Sequence, residues 1–209
     1  MARRKRRAGS LVVIAGCMFS GKSEEMVRQL RRAEIARRRV LVVRPAVDTR
    51  AQAEAIVSRS GFTFPSRVVS SSAEIEPIVR ATNPDVVAID EAQFFDSELP
   101  AVVERLVAGG RQVIAAGLDT DFLGRPFGPM PQLLALADDV RKLTAICVVC
   151  GAEATRTQRL IDGHPASPWD PLIVVGGMGD EVYQARCRSC HAIGPADSSP
   201  AGPTGHQRE

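Results

Sequence analysis

An octapeptide near the amino-terminal end of the chain has the residue types and spacing of a phosphate-binding loop. It reads Gly-Cys-Met-Phe-Ser-Gly-Lys-Ser, follows an apolar run and fits the pattern GxxxxGK[S/T] in full. Glycines let backbone N–H groups turn toward phosphate oxygens, and the start of the following helix adds partial positive charge. In such a loop the lysine reaches the β- and γ-phosphates of ATP, and the last serine binds Mg²⁺. The predicted nucleotide-binding residues are Gly16, Cys17, Met18, Phe19, Ser20, Gly21, Lys22 and Ser23.

Two adjacent carboxylates, Asp90 and Glu91, directly follow the apolar run Val86–Ile89. Enzymes with a phosphate loop place a second Mg²⁺ handle at the end of such a strand, and we assign that role to Asp90. Glu91 would then lie beside the γ-phosphate, where a carboxylate accepts the proton of an attacking hydroxyl group or of water. Glu91 alone does not distinguish a kinase from an ATPase. The alternative is that the pair only opens a solvated loop.

Four of the five cysteines form two CxxC pairs, Cys147/Cys150 and Cys187/Cys190, with 36 residues between the pairs. Four thiolates in this arrangement suit a tetrahedral Zn²⁺, and because protein ligands fill all four positions the predicted role of the metal is structural. The long spacing predicts that the metal holds the base of a long loop. His191 is an alternative fourth ligand in place of Cys190, and iron is an alternative metal.

The elements that must position these groups alternate between strands and helices. Short, continuously apolar runs predict strands that are buried on both faces, and the segments between them have helical periodicity. The predicted strands are Leu11–Ala15, Val40–Val43, Val68-Val69, Val86–Ile89 and Val113–Ala116. The predicted helices run from the phosphate loop to about Arg38, from a cap at Ser72 to Arg80, and from Leu99 to Ala108, whereas residues 48–66 are polar and predicted to be a loop. The pattern predicts an α/β fold with a parallel sheet covered on both faces.

Composition divides the chain into four parts. Residues 1–10 are a basic tail predicted to be disordered, 11–142 an ATP-binding core with the phosphate loop, 143–194 a small zinc-binding domain, and 195–209 a polar, disordered end. The formal net charge of +3 includes five basic residues at positions 3–7, so the remainder carries −2. Aromatic residues make up 4% of the chain, which argues against base-stacking platforms for single-stranded nucleic acid.

A bacterial lipoprotein signal is an alternative interpretation of the amino-terminal end, with Cys17 as the lipidated residue. The apolar stretch from Leu11 to Gly16 has six residues, which is short for a signal peptide, and it also forms the entry to the phosphate loop. No other stretch approaches the length of a membrane span. We therefore expect a cytoplasmic protein whose thiols stay reduced.

Seven motifs in this order resemble the thymidine kinase family found in bacteria and in the animal cytosol. They are residues 16–23, Asp48-Thr49-Arg50, Asp90 to Phe95, Leu118 to Phe122, Lys142 to Cys147, Thr157 to Leu160, and Val175-Gly176-Gly177 followed by Tyr183 and Cys187. The resemblance implies a RecA-like ATPase core with a zinc-anchored lasso loop that closes over the nucleoside. It further implies a thymidine kinase that uses ATP, Mg²⁺ and Zn²⁺ in nucleotide salvage for DNA synthesis, with deoxyuridine as a possible second substrate. The family is typically tetrameric and inhibited by dTTP.

The resemblance also implies roles for particular residues. Glu91 is the base for the 5′-hydroxyl group, and Ala92 and Gln93 belong to the same nucleotide-contacting segment. The implied thymidine-binding residues are Met18, Phe122, Thr157, Leu172, Ile173, Val174, Val175, Gly176 and Tyr183. The lasso would hold thymine mainly through main-chain groups, which suits a dry pocket where the base needs paired donors and acceptors.

Three features depart from the family pattern. Family members usually carry Pro where Cys17 stands, which predicts an altered stiffness or redox sensitivity of the phosphate loop. Many bacterial members carry His where Arg59 stands, and the stretch Met178–Val182 is longer than usual.

Two other functions are compatible with the individual motifs. A P-loop ATPase with a zinc ribbon acting on nucleic acid would use Glu91 to activate water and the basic tail to bind the polymer. A zinc-stabilised nucleotide sensor would bind a triphosphate without turnover. The motifs taken together favour a kinase with a small-molecule substrate and with no nucleic-acid or membrane partner.

Overall fold

The computed structural model describes residues 8–46, 55–57, 63–172 and 182–195. The strands in chain order are β1 Ser10–Gly16, β2 Val40–Pro45, β3 Ala55–Val57, β4 Thr63–Pro65, β5 Arg67–Val69, β6 Val86–Ile89, β7 Gln112–Gly117, β8 Asp139–Leu143, β9 Ala145–Ile146, β10 Glu153–Ala154, β11 Arg156–Ile161, β12 His164–Pro165 and β13 Val182–Arg186. The helices are α1 Lys22–Ile35, α2 Ile75–Thr82, α3 Leu99–Ala108 and α4 Met130–Leu136.

A six-stranded sheet forms the centre of the fold, in the order β5-β2-β6-β7-β1-β8. Every neighbouring pair in this sheet is parallel. The side chains of β1 alternate between two buried clusters: Leu11 and Val13 pack with α2, α3 and α4, whereas Val12 and Ile14 pack with α1. Helices therefore cover both faces, as the continuously apolar strands predicted, and the α/β fold class is confirmed.

α1 is shorter than predicted because the backbone reverses its twist at Arg37, which has a left-handed φ of 54°. The Arg38 N–H donates to the Ala33 carbonyl at 3.0 Å, and the Arg37 N–H donates to the Glu34 carbonyl at 2.7 Å. These two hydrogen bonds form a Schellman motif, which ends the helix at Ile35. The prediction that the helix reaches about Arg38 was wrong by one turn.

The predicted helix cap at Ser72 was also wrong. Residues Ser72–Glu74 form a 3₁₀ turn, and α2 begins after it at Ile75. The Ser72 hydroxyl donates to the carboxylate of Asp96 at 2.5 Å, and the Ser72 N–H donates to the other carboxylate oxygen at 2.9 Å. Ser72 therefore links two distant segments instead of capping a helix.

Two further parts of the fold differ from the prediction. The segment 48–66 was predicted as a loop, but β3 and β4 within it form an antiparallel pair with Ala55 opposite Pro65. α4 and β8 were not predicted. β8 is an edge strand with the polar sequence Asp-Val-Arg-Lys-Leu, so it lacks the continuous apolar run by which the central strands were predicted. Arg141 on β8 forms an ion pair with Glu25 on α1, which attaches this edge to the layer above it.

The remaining strands form small antiparallel sheets beside the carboxyl end of β8. β9 pairs with β10, and β11 lies between β12 and β13. Among the described residues no helix is long and apolar enough to cross a membrane.

Gly128 is packed closely against the main chain, and a comparison with Gly163, which also has a positive φ, separates the cost of this packing from the cost of the backbone conformation. Its φ is +50°, and a Cβ there would lie 2.1 Å from the Gln93 carbonyl oxygen. Gly163 has a φ of +80°, and no atom of the described residues lies within 4 Å of a Cβ built there. We expect Gly163→Ala to cost ~1–2 kcal/mol for the left-handed backbone alone. Gly128→Ala should cost a further ~1–3 kcal/mol from the close approach to the backbone, measured by urea unfolding. Equal losses in the two variants would contradict the tight packing at Gly128.

Candidate active site

The phosphate loop leaves β1 at Gly16 and enters α1 after Gly21, and both glycines have positive φ, 154° and 85°. A Cβ on Gly16 would lie 2.5 Å from the Leu143 carbonyl oxygen, so only glycine allows β1 and β8 to pair up to the loop. The hydroxyl of Ser20 donates to the Cys17 carbonyl at 2.8 Å, and the Lys22 ammonium donates to the same oxygen at 2.7 Å. The Lys22 side chain therefore lies against the main chain of the phosphate loop.

Burial of the Lys22 ammonium group lowers its pKa, and nearby negative groups oppose that effect. The carboxylates that favour the charged form are those of Glu91, Asp90 and Asp119, of which Glu91 has the largest effect. Because burial disfavours the charged form of Lys22, an anion that contacts the ammonium group directly stabilises that form. This arrangement is suited to binding the phosphates of a nucleotide.

Glu91 lies where β6 ends, with a left-handed φ of 49°. Its carboxylate accepts a hydrogen bond of 2.6 Å from the side-chain N–H of Gln93, and the side-chain Oε1 of Gln93 accepts one of 3.0 Å from the Leu118 N–H. Gln93 is 2% exposed, and its neighbour Ala92 is fully buried in the core. Gln93 therefore holds the Glu91 carboxylate against the end of β7.

The phosphate loop also contacts the small antiparallel sheets. The Met18 N–H donates to the Thr157 hydroxyl oxygen at 3.0 Å, and the Cys17 thiol donates to the Ala154 carbonyl at 3.3 Å. Met18 and Thr157, which the resemblance assigned to thymidine binding, are therefore in direct contact. Cys17 is fully buried and packs with Cys147 in a small apolar cluster.

Arg159 lies among the other predicted thymidine residues. Its guanidinium group lies 5.3 Å from the ring centroid of Phe122, and it donates to the Pro171 carbonyl at 2.6 Å. Tyr183 lies directly opposite Arg159 across β11 and β13. Leu172 follows Pro171 and is half-exposed.

Some of the predicted site lies outside the described residues. These positions are Asp48, Arg50 and Arg59 before β4, and Ile173, Val174, Val175, Gly176 and residues 178–181 after Leu172. Arg159 lies in one of the family motifs, but it was assigned no role from the sequence. Its position could have indicated one, because a charged residue within an otherwise buried strand needs a specific partner.

The four predicted metal ligands converge. The sulfur atoms of Cys147, Cys150, Cys187 and Cys190 lie within 4.8 Å of one another, and those of Cys150 and Cys187 are 3.7 Å apart. Tetrahedral zinc with Zn–S bonds of about 2.3 Å places its sulfur ligands about 3.8 Å apart, so the cluster fits this ion. The Nε2 atom of His191 instead lies 2.8 Å from the Phe122 carbonyl oxygen, and the group of converging ligand atoms consists of the four sulfurs, which favours Cys190 over His191.

The electrostatics of the thiols also suit a cation. Backbone hydrogen bonding, first from Cys187, lowers the pKa of Cys147 to about 6. The pKa of Cys190 is raised to about 12, chiefly by its interaction with the Cys187 sulfur, because crowded sulfurs resist ionising together. A divalent metal removes that repulsion by binding all four thiolates.

Comparisons with known proteins agree with this geometry. The family model described as thymidine kinase matches residues 9–191. A thymidine kinase of Coprothermobacter proteolyticus is 54% identical over 185 residues, which cover 88% of this chain and 91% of that protein.

Removing the metal should affect stability and nucleotide binding together, because the cysteine cluster packs against Cys17 of the phosphate loop. We expect about one zinc per chain by elemental analysis, since the four thiolates fill a tetrahedral site. Cys187→Ser should lose the zinc, lower the melting temperature and weaken binding of an ATP analogue. Cys17→Ala, which removes no ligand, should retain the zinc. A metal-free protein of unchanged melting temperature would contradict the assignment.

Cys17 should be unreactive in the folded protein, contrary to the redox sensitivity that its departure from the family pattern predicted. Burial raises the pKa of the Cys17 thiol, so little thiolate exists near neutral pH. We expect iodoacetamide to label Cys17 only in urea, as measured by mass spectrometry of the peptide. Labelling of the native protein at pH 7 would restore the redox hypothesis.

Proposed function

The chain belongs to the thymidine kinase family, and on that premise we propose that it transfers the γ-phosphate of ATP to the 5′-hydroxyl of thymidine. The observation that carries this proposal is the Glu91 carboxylate, which Gln93 holds beside the end of the phosphate loop and its Lys22. A fixed carboxylate at this position can accept a proton from a hydroxyl group that attacks the γ-phosphate.

The reaction is an in-line displacement. Glu91 takes the proton of the 5′-hydroxyl as its oxygen forms a bond to the γ-phosphorus, and the bond from that phosphorus to the β-phosphate oxygen breaks. The products are dTMP and ADP. Backbone N–H groups of the loop and the ammonium group of Lys22 bind the phosphate oxygens, where charge develops in the transition state.

Mg²⁺ fits the oxygen groups around the loop, and we assign the Ser23 hydroxyl and the Asp90 carboxylate to hold it. When bound, this ion neutralises phosphate charge and aligns the β- and γ-phosphates. Among the described residues the Oδ1 of the buried Asp119 has no hydrogen-bond partner, and its carboxylate acts electrostatically on Lys22, which supports a site for a hydrated cation.

The thymidine pocket is proposed to lie between the phosphate loop and β11. The contacts that support it are Met18 with Thr157 and the cation–π pair of Arg159 with Phe122. Arg159 also fixes the Pro171 carbonyl, immediately before the residues assigned to the lasso. Closure of that loop would exclude water and prevent ATP hydrolysis.

The wider role follows from the same premise. The enzyme would supply dTMP for DNA synthesis by salvage, accept deoxyuridine less well than thymidine, act as a homotetramer and be inhibited by dTTP. A cytoplasmic location is proposed because a reducing compartment keeps the cysteine cluster available for metal.

Glu91→Gln keeps the shape of the side chain and removes the base. We expect kcat for thymidine phosphorylation to fall by about 10²–10⁴-fold. Binding of an ATP analogue should change little. The measurement is transfer from ATP–Mg²⁺ to each of the four common deoxynucleosides and to deoxyuridine.

The matched control is Glu104→Gln, an exposed residue on α3 that should keep wild-type activity. Thymidine should be the preferred acceptor. Hydrolysis of ATP with no phosphorylated nucleoside would overturn the proposed function, and stimulation of that hydrolysis by DNA would favour the nucleic-acid ATPase.

A further inference from the structure

The sheet order places one more acidic residue at the phosphate site. β7 lies between β1, which leads into the phosphate loop, and β6, which leads into Asp90 and Glu91. All three strands are parallel, so their carboxyl ends meet at one edge. Asp119 comes two residues after β7 and therefore lies between the loop and the acidic pair.

The side chain of Asp119 is buried but only half satisfied. The residue is 6% exposed, and its Oδ2 lies 3.0 Å from the ammonium nitrogen of Lys142, whose side chain is 58% exposed. In the part of the chain that the structure describes, the other oxygen, Oδ1, is buried and has no hydrogen-bond partner. A buried carboxylate oxygen without a donor is unfavourable unless a ligand or water supplies one.

The surroundings of Asp119 indicate which ligand it would accept. Lys22 interacts electrostatically with Asp119 as well as with Glu91 and Asp90, so the charges of three carboxylates act on the cation that is assigned to the phosphates. Additional carboxylates disfavour a bare triphosphate, but they favour one that carries a divalent cation. Mg²⁺ takes oxygen ligands and usually keeps several of its waters, whose hydrogens need acceptors.

We propose that Asp119 is a third carboxylate of the Mg²⁺–ATP site, where its Oδ1 accepts a hydrogen bond from water bound to the metal. This inference rests on the proposed function, because it requires that the loop bind Mg²⁺–ATP. Asp119 is a metal-positioning residue and takes no part in proton transfer, which is assigned to Glu91. Lys142 contacts only the other carboxylate oxygen, Oδ2, and is assigned no part in binding the metal.

The ion pair with Lys142 does not by itself account for Asp119. That pair uses only Oδ2, and one of its members is mostly in water, where such pairs contribute little. A purely structural role in the ion pair does not explain why Oδ1 is buried. A measurement of metal affinity therefore distinguishes the structural role from the metal-positioning role.

The experiment measures binding of Mn²⁺, as a paramagnetic substitute for Mg²⁺, to the complex with the non-hydrolysable analogue AMP-PNP. Free Mn²⁺ is counted by electron paramagnetic resonance. We expect Asp119→Asn to weaken Mn²⁺ binding by about 10-fold or more, as loss of an outer-shell partner does at metal sites. Binding of AMP-PNP without metal should be unchanged or tighter, because a negative charge near the phosphates has been removed.

Three variants serve as controls, each checked for folding by its melting temperature. Asp119→Glu keeps a carboxylate and should retain more of the Mn²⁺ affinity than Asp119→Asn. Lys142→Met removes the ion pair and should not weaken metal binding. Asp85→Asn removes a carboxylate just before the amino end of β6, away from the phosphates, and should behave as the wild type.

The outcomes separate this inference from the proposed function. Wild-type Mn²⁺ affinity in Asp119→Asn, or an equal loss in Asp119→Asn and Lys142→Met, would overturn the role of Asp119 while leaving the kinase assignment intact. Failure of the wild-type chain to bind Mn²⁺–AMP-PNP at all would overturn the proposed function itself.

Discussion

The parallel pairing of β1 with β7 on one side and β8 on the other is the constraint on which the site depends. It brings the ends of three strands to one edge and sets the phosphate loop between them. Close approach at Gly16, where a Cβ would meet the Leu143 carbonyl oxygen, lets the pairing continue into the loop. The carboxylates beside Lys22 and the amide of Gln93 are all positioned by this edge of the sheet.

The cysteine cluster connects the phosphate loop to residues outside the central sheet. Cys147 and Cys17 share a buried cluster, and His191 follows the last cysteine and bonds the carbonyl of Phe122. A metal that held the four sulfurs together would therefore also fix residues on both sides of the proposed thymidine pocket. We expect a metal without an open coordination position to affect the active site through this packing.

Much of the candidate site could be predicted from the sequence because it consists of short motifs with strict spacing. The phosphate loop, Asp90-Glu91 and the paired cysteines each need residues close together in the chain, and the strands Val86–Ile89 and the central part of β7 are apolar on both faces. Contacts between distant segments were not predictable. Ser72 with Asp96, Met18 with Thr157 and Arg159 with Phe122 join residues whose proximity only the folded chain creates. β8 was not predicted because an edge strand is partly exposed and needs no continuous apolar run, so its sequence resembles that of a loop.

The hydrogen bond from the Met18 N–H to the Thr157 hydroxyl connects the phosphate loop to β11, so the loop takes part in both of the proposed binding sites. Thr157 belongs to β11, which also carries Arg159, whereas Met18 belongs to the loop that is proposed to bind the phosphates. A ligand that moves one partner of this hydrogen bond therefore changes the free energy of ligand binding at the other partner. Thermodynamic linkage then requires reciprocity: the factor by which nucleoside changes the affinity for nucleotide equals the factor by which nucleotide changes the affinity for nucleoside.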